Sequence, residues 1–321
     1  MKIANSIRNI YEETKPVYDL LRGEVDEFFN SNKTSRWHYE SRVKGLISFA
    51  LKAETSRVSE LSRLEDFFGA CLVVENSASI QTALDLISTK FEIAYQRPKV
   101  HGQTHKDPSS FVFDDIRLYL RIPSNPDRRP KGVEDIVFEL QLKTFLQHAW
   151  SIATHDMVYK GDESSWASNR IAFQVKAMLE HAELSISESA ALSKSPLVNK
   201  ENKKTIEAER IITFLRETWP KEQLPSDLIR LSSNVMDILS IIRLDLDCLK
   251  GMAASSEHIG DSPKINMSPF SAISLVIIEN VEDLKKRLKA RNKKLFLPEE
   301  VVALLDSNKR EELKGVIIEP R

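Results

Sequence analysis

The chain has 321 residues, 41% of them hydrophobic and 29% charged, enough for one large domain or two modest ones and unlike a disordered or fibrous polymer. Its formal net charge of −1 excludes a global basic field for nucleic acid, and only nine glycines disfavour an all-β fold rich in tight turns. The two cysteines, Cys71 and Cys248, are too far apart in sequence to suggest a metal cluster and read as small buried apolar residues of a reducing compartment. The amino terminus lacks the apolar core of a signal peptide, and Ala272 to Ile278 is too short to span a bilayer. A soluble, cytoplasmic protein without a membrane partner is expected.

From the amino terminus, residues 3 to 31 carry apolar residues at helical spacing, including Ile3, Ile7, Ile10, Tyr18, Leu21 and Val25, with Lys15-Pro16 as a point of interruption. A second helix is expected from Tyr39 to Leu61. Phe67 to Glu75 is a short apolar run that reads as a buried strand, followed by a capped helix over 77 to 86 and a strand over 91 to 96. Residues 97 to 110 form a polar loop. Phe111 to Pro123 and Asp135 to Thr144 alternate as strands, and helical periodicity returns at Phe145. Beyond residue 165 helices are expected over 167–194, 200–218, 225–252, 271–291 and 297–306, with Ala254 to Pro269 as the clearest linker. The chain therefore reads as α+β. A helical segment (1–34) precedes a mixed-sheet domain (35–165), and an additional α-helical region (166–321) follows it.

The chemistry-bearing residues concentrate in the middle. In VFELQLKT, alternation puts Phe138, Leu140 and Leu142 on one face and Glu139, Gln141 and Lys143 on the other. Such a strand can simply be half exposed, or its polar face can floor an active site. The preceding strand sets Phe113, Asp115, Arg117, Tyr119 and Arg121 on one side. Arginine forks suit phosphate oxygens and aromatic rings suit a purine, although cross-strand ion pairs on a solvated face would look the same. Asp66 stands just before the apolar strand. Alone it reads as a turn or cap residue; paired with Glu139 on a neighbouring strand it can hold magnesium, which favours a few carboxylates plus substrate phosphates.

The helix expected over 39–61 carries Arg42, Lys44, Ser48, Lys52 and Arg57, either a solvated basic face or a triphosphate clamp. His148, His155 and Tyr159 share a helix face but lack the usual zinc-helix spacing, so packing beside the site is expected of them, with Lys160 available for phosphate. The sequence holds no Walker P-loop, dinucleotide glycine fingerprint, zincin motif or nucleophile elbow.

The order of these motifs resembles the synthetase domain of the RelA/SpoT family, especially its small alarmone synthetases. They run from an Arg-Val-Lys segment through Asp-x-x-Gly opening a strand and an aromatic-rich strand to Glu-x-Gln-Leu-Lys-Thr and His-x-x-x-Tyr-Lys. The resemblance implies a nucleotidyltransferase-like mixed sheet and a magnesium-dependent pyrophosphokinase. Such an enzyme moves the β,γ-pyrophosphate of ATP to the 3′-hydroxyl of GDP or GTP. It implies Asp66 and Glu139 as catalytic, magnesium-binding carboxylates and Arg42, Lys44, Ser48 and Lys52 as ATP-binding residues. Phe113, Arg117, Gln141, Lys143, His155, Tyr159 and Lys160 fall to the acceptor side.

Three departures stand out: Cys71 where the family has arginine, Phe113 and Arg117 in place of the tyrosine and histidine of the acceptor motif, and Lys143 for arginine. They leave open a toxic synthetase using an adenine nucleotide or the tRNA 3′ end, or a nucleotide sensor without turnover. The helices beyond 165 can serve a homo-oligomer or an inhibitory partner. Their apolar stripe of Ile229, Leu231, Val235, Ile238, Leu239, Ile242 and Leu246 is ordinarily intramolecular core.

Overall fold

The structure is a computed structural model that describes residues 2–54, 61–99, 107, 111, 115–124, 132–134, 136–154, 165–259 and 267–318. The chain divides into two compact units, Met1–Val198 and Asn199–Arg321.

In the first unit, α1 (Asn5–Asn32) buries Thr14, Tyr18, Leu21, Val25 and Phe29, three or four residues apart and hence on one face. Pro16 lies inside the helix without ending it. Pro16 and Glu12, whose carbonyl loses its partner, are both exposed, so water can serve that carbonyl. The next segment overturns the expected helix over 39–61. His38–Val43 is a strand, β1, and only Leu46–Glu54 is helical, as α2. Burial in β1 alternates residue by residue. Tyr39 and Ser41, on its inner side, donate hydrogen bonds to Asp26 of α1 at 2.8 and 2.6 Å. Ladder pairing and docking on α1 thus override local helical spacing.

The remaining strands are β2 (Phe68–Val74), β3 (Glu92–Arg97), β4 (Ile116–Arg121) and β5 (Phe138–Thr144), with α3 (Ile80–Ser88) between β2 and β3. They form a five-stranded sheet in the order β1-β2-β5-β4-β3. The β2–β5 pair is parallel and the other three pairs are antiparallel, so the sheet is mixed. Its apolar face joins α1 in one core of Leu72, Val74, Leu118, Leu120, Phe138, Leu140 and Leu142 with Tyr18, Leu21, Val25 and Phe29.

Thr144 ends β5 and caps α4 (Phe145–Ala153) through a reciprocal capping box with Gln147. The buried Thr144 hydroxyl also donates to Glu183 at 2.9 Å, and Glu183 accepts from the Ser77 amide at 2.8 Å. These bonds and Trp150 Nε1 donating to the Ala172 carbonyl at 3.0 Å hold α5 (Trp166–Ser187) within the first unit. The boundary between compact units therefore falls at 198/199, whereas helical periodicity alone sets a domain change near 165.

The second unit contains helices Lys203–Thr218, Leu228–Ile242, Leu246–Ala254, Pro269–Asn280, Leu284–Ala290, Glu299–Leu304 and Ser307–Leu313. The helix expected over 225–252 is broken by Arg243, at φ 55°, and that over 271–291 by Asp283, at φ 57°. Both positions are left-handed without a glycine to signal it. A parallel pair, β6 (Leu295–Phe296) and β7 (Ile317–Ile318), was not expected from the sequence. The 254–269 loop lies inside this unit rather than between the two, and its residues 260–266 fall outside the described set. Leu231, Val235, Ile238, Leu239, Ile242 and Leu246 are buried in the unit's core, while Ile229 is 75% exposed and Cys248, expected to be buried, is exposed as well. Among the described residues no helix is long and apolar enough to cross a membrane.

Two substitutions test this packing by chemical unfolding. Leu140→Ala, in a central strand, should cost about 2–5 kcal/mol. Ile229→Ala should stay within about 0.5 kcal/mol of wild type.

Candidate active site

Strand register assembles the polar face in rows. One row runs Arg42, Gly69, Glu139, Tyr119, Tyr95 across all five strands. The next runs Glu40, Cys71, Gln141, Arg117, Arg97. A side-chain carbon added at Gly69 would meet nothing within 4 Å, so the floor between Arg42 and Glu139 is open.

Asp66 is fixed beside that opening by the backbone. The Lys44 amide donates to the Phe67 carbonyl at 2.7 Å, and the Glu139 amide donates to the Glu65 carbonyl at 3.0 Å. The turn carrying Asp66 is thereby tied to the end of β1 and the start of β5. Asp66 Oδ2 accepts from Lys44 Nζ at 3.0 Å and Lys52 Nζ at 2.5 Å. Burial works against the Asp66 charge, but the bonds and charges of Lys52 and Lys44 outweigh it and hold the carboxyl below its ordinary value. Oδ1 of the same carboxylate is buried without a hydrogen-bond partner among the described residues.

Glu139 is buried, and both its oxygens are engaged: Gln141 Nε2 donates at 2.7 Å and the Tyr119 hydroxyl at 3.0 Å. Burial and the neighbouring Glu139 push the Tyr119 hydroxyl up to about 12, so it remains a donor. Tyr119 stacks on Tyr95 with centroids 4.1 Å apart and planes 9° from parallel. The Arg97 guanidinium lies 5.4 Å from the Tyr119 ring centre and 5.8 Å from that of Tyr95. The Tyr95 hydroxyl donates to Glu65 at 2.5 Å. A hollow of about 410 Å³ at the β3 edge is lined by Ile93, Tyr95, Gln96, Arg97 and Lys99.

The structure brings Asp66, Lys44 and Lys52 together and joins their turn to Glu139. Arg42 occupies β1 rather than the expected helix, in register with Gly69. Ser48 is an exposed residue of α2, one helical turn before Lys52. Lys143 lies 3.5 Å from Ser151 Oγ and 3.8 Å from Asp115, and Arg117 lies 3.7 Å from the same carboxylate. Phe113, His155, Tyr159 and Lys160, with Arg57, lie outside the described residues. Sequence reasoning missed Glu65, Tyr95 and Arg97. The two-residue spacing of Tyr95 and Arg97 was visible, but only the β3–β4 register ties them to Tyr119 and Arg117.

The site fits a hard divalent cation such as magnesium in its donor set. Asp66 offers an orphaned buried oxygen, and the carboxylate of Glu139 keeps lone pairs beyond its two hydrogen bonds. Lys44 and Lys52, with Arg42 in the adjoining row, add cationic charge of the kind polyphosphate requires.

Residues 41–164 match the family described as the region found in RelA/SpoT proteins. No curated protein matches the chain. Among solved structures, small alarmone synthetase 1 of Bacillus subtilis is similar at 15% identity and a TM-score of 0.43, over 60% of this chain and 99% of that one. Small alarmone synthetase 2 of the same organism is similar at 18% identity and a TM-score of 0.41, over 57% and 98%. A GTP pyrophosphokinase family protein from Streptococcus pneumoniae is similar at 17% identity and a TM-score of 0.37, over 60% and 93%.

The Asp66 carboxyl, lowered in the folded chain, stabilises the fold above the ordinary aspartate range, and that contribution is lost as pH falls through the folded value. Unfolding of wild type and Asp66→Asn should show a gap of about 1 kcal/mol that holds above the ordinary aspartate range and narrows as the pH falls below it.

Proposed function

We propose that this chain is a magnesium-dependent pyrophosphokinase acting on ATP and the 3′-hydroxyl of a purine nucleotide, GDP or GTP in the first instance. The observation that carries the reading is the Asp66–Lys44–Lys52 cluster, hydrogen-bonded through its turn to Glu139 beside an open floor at Gly69. All of it lies within the RelA/SpoT region.

In the transfer, the acceptor 3′-oxygen bonds to the β-phosphorus of ATP as the bond from that phosphorus to the α,β-bridging oxygen breaks. AMP leaves, and the hydroxyl proton passes to solvent. A divalent cation, when bound by Asp66 and Glu139, supplies charge neutralisation and alignment of the polyphosphate. The chain's own residues do the rest. Lys44 and Lys52 exchange their bond to Asp66 for phosphate oxygens, so Asp66 is released as the nucleotide enters. Arg42 adds a fork on the same side. Tyr119 and Gln141 fix the carboxylate of Glu139, which orients the 3′-hydroxyl. The Tyr95–Tyr119 stack with Arg97 offers a flat, cation-backed surface for a purine. Phe113, Arg117, Gln141, Lys143, His155, Tyr159 and Lys160 complete the acceptor side in this reading.

One observation favours a second reading. Cys71 occupies the position for which the family resemblance implies arginine, and burial pushes its thiol up to about 12. The polar face thus has a neutral group there instead of a cation. That difference suits another acceptor, such as an adenine nucleotide or a tRNA 3′ end, or binding of ATP without turnover.

The test is transfer from γ-labelled ATP with magnesium to GDP, GTP, ADP, AMP or bulk tRNA. Product should form with at least one guanine nucleotide. It should fall by about 10³-fold or more in Asp66→Ala and Glu139→Gln, the scale set by loss of a transition-state charge contact. Tyr119→Phe should lower kcat by about 10-fold, the cost of one hydrogen bond to a charged group, with little change in KM for ATP. Product only with an adenine nucleotide or tRNA would reassign the acceptor, and ATP binding without any product would leave a nucleotide sensor.

A further inference from the structure

The outer side of β1 places His38 and Glu40 two residues apart, both exposed and both on the polar face of the sheet. His148 of α4 meets them there. One donor atom from each of His38, Glu40 and His148 lies within 4.8 Å of the others. His38 Nε2 is 4.0 Å from Glu40 Oε2, and the two imidazole rings are 5.8 Å apart. A ring nitrogen of His148, Nδ1, is buried without a hydrogen-bond partner among the described residues. That is uncommon for a buried polar atom and calls for a ligand or a role.

We propose that His38, Glu40 and His148 bind a divalent d-block cation of the zinc type, at a site separate from the Asp66–Glu139 pair. Two imidazoles and a carboxylate are a zinc donor set, whereas magnesium prefers oxygen ligands throughout. At metal–ligand bonds of about 2.0–2.1 Å, tetrahedral ligands stand about 3.3 Å apart. The observed spacing therefore needs only a small closure, and the exposed His38 and Glu40 side chains have room to make it. Three protein ligands leave a coordination position for water.

Lys143 is the opposing charge, since it acts on His148 and on Cys71, the register partner of Glu40. Its ammonium is nevertheless turned to Asp115 at 3.8 Å and Ser151 at 3.5 Å. The site stands four to six residues along β1 from Lys44, about 13–20 Å at strand rise. An ion there would cross-link the edge strand to the helix that follows β5. It is independent of the pyrophosphokinase reading.

The experiment uses cobalt(II) as a visible probe on the full chain, with zinc and magnesium as competitors. Expected, with magnesium in excess to fill any oxygen-only site, is one cobalt per chain with the intense visible bands of a low-coordinate N/O site, displaced by zinc. Affinity should fall at least about 100-fold in His38→Ala, Glu40→Gln and His148→Ala, beyond the loss of an outer-shell partner. It should be unchanged in Glu139→Gln and in His181→Ala, an exposed histidine of α5 outside the cluster. Glu40→Gln, on an exposed side chain, guards against loss through misfolding, and melting curves of each variant verify the fold. Absence of the cobalt spectrum, its survival in both His38→Ala and Glu40→Gln, or its loss in Glu139→Gln would overturn the proposal.

Discussion

The parallel pairing of β2 with β5 is the constraint on which the site depends. It carries Glu139 into register with Gly69, and just beyond the ladder the Glu139 amide donates to the Glu65 carbonyl. Asp66 is the next residue, so the turn that carries it cannot move without breaking a backbone bond to the strand that carries Glu139. A buried amide left without its acceptor costs about 1–3 kcal/mol. The two carboxylates are therefore related by main chain rather than by flexible side chains, which preorganises any cation they share. Antiparallel β4 then delivers Tyr119 opposite Glu139, and β3 delivers Tyr95 behind it.

Charge on this face is organised as internal ion pairs. Lys44 and Lys52 share Asp66, while Lys143 and Arg117 share Asp115. Two cations around each carboxylate leave local positive excess, though the whole chain carries only −1. Such pairs add little to stability when partly solvated. In the proposed reaction they would keep the lysines and the arginine ordered before a polyphosphate arrives, and so lower the entropy lost when it binds.

Much of this was legible in the sequence because a strand has period two. Alternation alone put Glu139, Gln141 and Lys143 opposite Phe138, Leu140 and Leu142, and put Tyr119 and Arg117 together on β4; the register upholds both. The same period was present in His38–Val43 but was outweighed by helical spacing over the longer stretch. Only pairing with β2 and the bonds from Tyr39 and Ser41 to Asp26 decide for a strand. Tyr95 and Arg97 were invisible as site residues because their neighbours come from β4, some twenty residues on in the chain. The breaks at Arg243 and Asp283 left no mark, since residues other than glycine hold the left-handed turns.

The misreading of β1 also hid the relation among its own residues. On a helix, Glu40 would point away from His38 and Arg42, which would share the opposite face. On a strand they stand in line, so one edge strand presents a cation beside Gly69 and two potential ligands farther along. His148, expected to pack, comes from the first turn of a helix whose start is fixed by the Thr144–Gln147 capping box and by the Thr144–Glu183 bond. The position of its imidazole is thus set by the end of β5, the same strand that positions Glu139. Any movement of α4 against the sheet must first disturb the buried Thr144 network. A cation shared by β1 and α4 would add a second restraint on the same motion, at the opposite end of β1 from Lys44 and Asp66.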